Sequence, residues 1–130
     1  LIYLEKEHVL RLKELGFKPP YDNGETYAYQ FYNYRGEEWS IGGKITGEET
    51  ILAPQEVYRD GIRLFNIEEI FDWIHFEGLG MRLHKNINSG YKFIIFDEDG
   101  KEYKGNGGDL HHAVFNSTEK YLITKNLQNK

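Results

Sequence analysis

Apolar positions recur at helical spacing from Leu4 to Leu15. That segment ends on signals for a helix stop: Gly16 where a left-handed cap belongs, Phe17 as its apolar contact, then Pro19-Pro20. After a turn at Asp22-Asn23-Gly24 the pattern changes to alternation. Glu25–Tyr34 and Trp39–Ile45 read as two strands of a hairpin with Arg35-Gly36-Glu37 between them, and Gly42-Gly43 marks a bulge or close backbone approach. Residues 46–61 are the least regular, with a short strand near Thr50–Leu52 and one helical turn from Pro54 through Tyr58. Asn66 then starts a second helix as N-cap, with Glu69 at the capping-box position and Phe65 and Ile70 as a hydrophobic staple. Ile67, Ile70, Phe71 and Ile74 line one face of this helix, and Gly78 or Gly80 ends it.

Three strands follow, at Leu79–Ile87, Tyr91–Phe96 and Lys101–Lys104. Asn88-Ser89-Gly90 and Asp99-Gly100 turn the chain between them. A two-residue turn at Asp99-Gly100 would set Phe96 opposite Tyr103. Gly105 to Gly108 reads as a glycine-rich loop. Asp109 caps a last helix running to about Thr124, with Leu110, Ala113, Val114, Ser117, Tyr121 and Leu122 inward. The predicted class is α+β: an antiparallel sheet of hairpins and meander packed with about three helices. The predicted organisation is a single domain over 1–130, with an N-terminal helix and Tyr-rich hairpin over 1–61 and an α-β-β-β-α unit over 62–125. Tyr91–Phe96 is apolar on both faces, so both faces of its sheet are expected to be covered, one by the two C-terminal helices and the other by the N-terminal elements or a second subunit.

Composition narrows the classes without choosing among them. With 39% hydrophobic and 28% charged residues the chain is neither disordered nor membrane-embedded. No apolar run approaches the roughly 18 residues that cross a bilayer. Glu5, Lys6 and Glu7 would not be tolerated in a signal-peptide core. The absence of cysteine excludes disulfides, thiolate zinc sites and a cysteine nucleophile. A net charge of −5 without a basic run argues against nucleic acid as a partner. The lack of cysteine fits a reducing compartment such as a cytosol.

The candidate chemistry is sparse. Of the five histidines, His111 and His112 are adjacent on a helix and point about 100° apart, and no His-x-x-x-His spacing occurs. No metal site, cofactor or catalytic residue is therefore predicted. Asp97-Glu98-Asp99-Gly100 lacks the remaining ligands of a calcium loop and reads as an acidic turn. Glu69 and Asp72 are placed on a solvated helix face. The loop Gly105-Asn106-Gly107-Gly108-Asp109 lacks the Lys of a phosphate loop. The excess of aromatics, 15% with 10 Tyr, suggests instead a contact surface on the hairpin, with Tyr27, Tyr29, Tyr32, Tyr34 and Trp39 as candidate partner-binding residues. Tyr27, Tyr29 and Phe31 would face the core, and Tyr32 and Tyr34 would point away from it.

The α-β-β-β-α order, with Asp-Gly-Lys-Glu-Tyr-Lys-Gly-Asn-Gly-Gly before the final helix, resembles the double-stranded RNA-binding domain in topology. That family's basic cluster at the start of the last helix is replaced here by Asp109, Leu110, His111 and His112. The chain is also similar to small phage and prophage accessory proteins, through Leu-Lys-Glu-Leu-Gly-Phe ahead of a Tyr-rich strand and Ala113 in the final helix. This second resemblance implies a protein that is not an enzyme and that binds and inhibits a host protein, including components of host defence. Self-association is a further expectation, and neither membrane nor nucleic acid is an expected partner. The alternatives are a degenerate nucleic-acid-binding module, using a basic face of Arg82, Lys85, Lys92, Lys101 and Lys104, and a small nucleotide-sequestering protein or hydrolase.

Overall fold

A computed structural model describes residues 3–20, 31–40, 44–45, 50–51 and 55–129. Within them the order is α1 (Lys6–Glu14), β1 (Phe31–Tyr34), β2 (Glu37–Ser40), β3 (Lys44–Ile45), β4 (Thr50–Ile51), α2 (Gln55–Asp60), β5 (Ile62–Leu64), α3 (Ile67–Phe76), β6 (Gly80–Lys85), β7 (Tyr91–Phe96), β8 (Glu102–Gly107) and α4 (Leu110–Gln128). The strands form antiparallel sheets in the orders β2-β1-β5, β3-β4 and β6-β7-β8. The class is α+β, and its C-terminal part is the expected α-β-β-β-α unit. No helix among the described residues is long and apolar enough to cross a membrane. The turn at Asp22–Gly24, the first part of the Tyr-rich strand, Gly42-Gly43 and Pro54 lie outside the described residues.

Local signals set the helix ends. At the close of α1 the Phe17 amide donates to the Leu12 carbonyl and the Gly16 amide to that of Lys13, with Gly16 at φ 94. This Schellman pattern needs a left-handed residue, which glycine adopts without strain. Helix α3 ends the same way, Leu79 donating to Ile74 and Gly78 to His75. At its start, the Asn66 side chain accepts from the Glu69 amide at 2.9 Å and the Glu69 carboxylate accepts from the Asn66 amide at 3.0 Å, which completes the capping box. Asp109 caps α4, accepting from the His112 amide at 2.9 Å.

One buried cluster joins both ends of the chain. It takes Leu4, Val9, Leu12 and Phe17 from the N-terminal segment, Leu64 and Phe65 from β5 and its end, and Ile70, Trp73 and Ile74 from α3. Phe93, Ile95 and Tyr103 come from the sheet, and Ala113, Val114, Phe115, Tyr121 and Leu122 from α4. Phe71 is only half-buried and stacks on Phe93 at 5.7 Å. The deeper place on α3 belongs to Trp73, which meets Phe17 at 5.1 Å and Tyr121 at 5.6 Å. The buried face of α4 is wider than its predicted stripe because α1 covers one flank. There His8 stacks on Phe115 at 3.9 Å, and Arg11 pairs with Glu119 at 3.0 Å.

Several sequence expectations are corrected. The hairpin turn is the pair Arg35-Gly36 alone, since Tyr34 pairs with Glu37. A strand that the pattern does not announce, β5, pairs with β1 in the register Phe31↔Leu64, Tyr32↔Arg63 and Asn33↔Ile62. Tyr103 faces Ile95 rather than Phe96, because Asp97 also bonds to Lys101 and the turn spans three residues with Gly100 at φ 82. Gly105 and Gly107 belong to β8 and not to a loop. A Cβ on Gly105 would collide with the α4 backbone at Ala113 and Ser117, so glycine there lets the helix lie directly on the strand. The Ser117 hydroxyl donates to the Tyr103 carbonyl at 2.6 Å across that contact.

Glu69 is buried rather than solvated. Its second carboxylate oxygen accepts from Arg63 Nη1 at 2.8 Å, and the two side chains are 6% and 8% exposed. One carboxylate therefore closes the capping box of α3 and neutralises a guanidinium from β5. Removing one partner of a buried ion pair strands the other charge and costs about 3–5 kcal/mol. Glu69→Ala should lose that much in urea denaturation. Glu69→Gln, which keeps the capping contact, should recover a large part of it when combined with Arg63→Met. Gly105→Ala should cost roughly 1–3 kcal/mol by overpacking, read in the same experiment.

Candidate functional site

The two faces of the β6-β7-β8 sheet differ in chemistry because side chains alternate along each strand. On the inner face Phe93 and Ile95 of β7 are buried against the helices. α4 crosses β7 and β8 and leaves β6 uncovered, so all of Met81 to Lys85 is exposed. Met81 and Leu83, whose side chains share the inner face, are 43% and 48% exposed. At the two ends of β6 stand Phe76 and Ile87, 67% and 92% exposed. Among the described residues β6 pairs only with β7, so its other edge presents free backbone donors and acceptors.

On the outer face the register sets Arg82, Ile94 and Lys104 in one row, and His84, Lys92 and Asn106 in the next. Ile94 is buried there, 4% exposed, between the stems of its basic neighbours. The expected cover for this face was the N-terminal helix and hairpin or a second subunit; of these, α1 packs on α4 and the helix side instead. Glu102 is the one acidic side chain among the facing strand residues. It pairs with Arg82 and lies 3.7 Å from Lys104, while the Arg82 guanidinium sits over the Phe96 ring at 4.9 Å. An open groove of about 690 Å³ runs along this face, bounded by His84, Asn86, Lys92, Ile94, Asn106 and Gly108. Of the five basic residues grouped from the sequence, Arg82, Lys92 and Lys104 share the face. Lys85 points to the other side and bonds the Asn86 and Ser89 carbonyls, and Lys101 lies in a turn with its ammonium over Tyr103.

The aromatic hairpin is less open than alternation suggested. Tyr32 is 7% exposed, opposite Trp39 on one side and Arg63 on the other. Helix α2 packs against β1, and Val57 on that helix is fully buried. Tyr34 and Trp39 are half-buried, with the Arg35 guanidinium 5.1 Å over the Tyr34 ring. Phe31 packs on the main core and stacks on Tyr3, whose hydroxyl donates to Glu38. Burial and the Glu38 carboxylate push that hydroxyl's pKa up to about 12. Tyr27 and Tyr29 lie outside the described residues.

A second cluster joins α1 to the start of α4. Glu5, His8 and His112 each turn a potential ligand atom to a common point, all within 4.8 Å of one another. Glu5 Oε1 is 3.3 Å from His112 Nε2 and 3.6 Å from His8 Nδ1, and the two imidazoles meet edge-on at 5.0 Å. The other nitrogen of His112, Nδ1, is 2.9 Å from the Asp109 carboxylate. The His112 amide and ring both hold Asp109 below the usual carboxylate range. Spacing along one helix had excluded a metal site. Glu5 and His8 do stand three residues apart, a signal present in the sequence and overlooked there, whereas His112 comes from the helix at the other end of the chain, which spacing does not register.

Comparison with known protein families, with characterised proteins and with solved structures finds no match for this chain.

Burial against Phe115 lowers the His8 pKa below 6.5, outweighing the attraction of Glu5, Glu7 and Glu119, and His112 adds to the lowering. The unfolded chain therefore takes up this proton more readily than the fold does. His8's contribution is fully present above pH 6.5 and is lost as pH falls through its folded pKa. His111, lowered mainly by burial, adds a slope of the same sign. Thermal melts of His8→Phe between neutral and mildly acid pH should show a shallower loss of Tm than the parent protein.

Proposed function

We propose that the chain is a non-catalytic binding protein, an accessory factor of the phage type that it resembles, which engages and inhibits a host protein. The open edge of β6 is the observation that supports this reading. A strand with an unpaired backbone edge and exposed side chains on both faces is suited to accept an extended segment of another protein as an added strand. The side chains specify the guest. Met81 and Leu83 offer apolar contact on one face, and Arg82 and His84 offer a guanidinium and an imidazole on the other. An incoming strand that alternates apolar and acidic residues satisfies both. Phe76 and Ile87 extend the apolar side beyond the strand ends, where a partner's own surface would rest.

The outer face supports a second reading, as a nucleic-acid module. Arg82, Lys92 and Lys104 gather on one side of the sheet beside the groove. Glu102 engages two of the three, which favours the protein partner.

A fluorescent peptide alternating valine and glutamate should bind the chain in an anisotropy titration. Leu83→Glu, at a half-exposed position, should weaken it at least about tenfold, equivalent to ~1.4 kcal/mol, with melting little changed. The same substitution should abolish capture of the host partner from a bacterial lysate. Unchanged peptide binding in Leu83→Glu removes the β6 edge from the mechanism. A salt-dependent shift of duplex RNA, lost in Lys92→Glu with Lys104→Glu, would establish the second reading instead.

A further inference from the structure

We propose that Glu5, His8 and His112 form a divalent transition-metal site, of a donor set suited to zinc, that fastens α1 to the N-terminal end of α4. The site is separate from the β6 edge and stands or falls independently of it.

The first argument is geometric. Zinc bonds to imidazole nitrogen and carboxylate oxygen are about 2.0–2.2 Å, so neighbouring ligands of a tetrahedral centre stand about 3.3–3.5 Å apart. The Glu5 oxygen stands 3.3 Å from the His112 nitrogen and 3.6 Å from the His8 nitrogen. The two imidazole nitrogens lie within 4.8 Å of each other, so a small approach of the two rings closes the third edge. A set of two imidazoles and one carboxylate suits zinc, whereas calcium and magnesium prefer oxygen ligands throughout.

The second argument concerns the outer partner of His112. Ionised Asp109 only accepts hydrogen bonds, so the ring hydrogen of neutral His112 lies on Nδ1, 2.9 Å from that carboxylate. The Nε2 lone pair is thereby directed at Glu5. A carboxylate that orients a histidine through its far nitrogen is the common support of a metal-bound imidazole.

The third is the state of His8. Its Nδ1 is buried, has no hydrogen-bond partner among the described residues, and faces the same Glu5 oxygen. Stacking on Phe115 fixes the ring plane. In the tautomer with its hydrogen on Nε2, His8 turns its Nδ1 lone pair to the same carboxylate oxygen that His112 Nε2 faces, an arrangement that a single cation between them satisfies. Glu5 and His112 are about half-exposed, so the fourth coordination position opens to water.

The test uses the full chain, stripped of metal and titrated with Zn2+ by calorimetry and with Co2+ by absorption. The expected result is saturable one-to-one binding, a tetrahedral Co2+ spectrum and a raised Tm. Asp109→Asn retains a good helix cap but removes the charge that orients His112, and should weaken binding about ten- to a hundredfold. Glu5→Gln and His112→Ala, both at accessible positions that leave folding intact by circular dichroism, should weaken it at least as much. His75→Gln with His84→Gln should leave it unchanged. Absence of saturable binding, or binding that survives His112→Ala, or binding lost in the His75/His84 variant, overturns the assignment.

Discussion

The ion pair between Arg63 and Glu69 ties the N-terminal sheet to the C-terminal unit at a point where water is excluded. A buried guanidinium is tolerable only beside a fixed counter-charge, and Glu69 is fixed because its other oxygen is committed to the Asn66 amide. The first turn of α3 therefore depends on β5, and β5 depends on its pairing with β1. Phe65 lies between the two anchors, fully buried, and its carbonyl accepts from the Leu4 amide at 2.9 Å. That single segment, 62–69, thus sets where the N-terminal chain, the hairpin and α3 meet.

The part of this arrangement written in short-range sequence is the part that was legible. Asn66 with Glu69, Gly16 with Phe17, and Asp109 before Leu110 each state a helix end within four residues, and each forms the bonds its pattern implies. What depended on a distant partner was not. Ile62–Leu64 is too short to show alternation and becomes a strand only because β1 offers an edge. Glu69 looks like a surface residue until Arg63 arrives beside it. Gly105 and Gly107 suggested a loop because glycine marks turns and close approaches alike, and only the position of α4 distinguishes the two. Of the residues on the proposed docking edge, Met81 and Leu83 were readable as strand positions, but their exposure was not.

That exposure follows from the glycines on the opposite edge. With no side chains at 105 and 107, β8 lets α4 approach until its backbone touches the strand, and Asn116 reaches the Asn106 carbonyl at 2.7 Å. A helix drawn to one edge of a three-stranded sheet cannot also cover the other. Phe71 and Phe93 stack over the middle of the sheet, and Met81 and Leu83 are left beyond the helices' reach. The open β6 edge and the tight α4–β8 contact are thus two results of one choice of residues on β8.

The position of α4 also governs the His cluster. Close packing at Gly107 brings the first turn of the helix against the end of β8, and Asp109 holds that turn by accepting from the His112 amide. The same carboxylate grips the His112 ring, so the cap and the orientation of the imidazole are one interaction. α1 reaches this turn because His8 stacks on Phe115 and Arg11 pairs with Glu119, one and two helical turns further along α4. Two successive contacts along one helix therefore align Glu5 and His8 with His112. The carboxylate of Glu5 attracts both imidazoles across the α1–α4 contact, and a cation bound among the three would add a further tie between the two helices. The arrangement has a physical rationale if a cation belongs there.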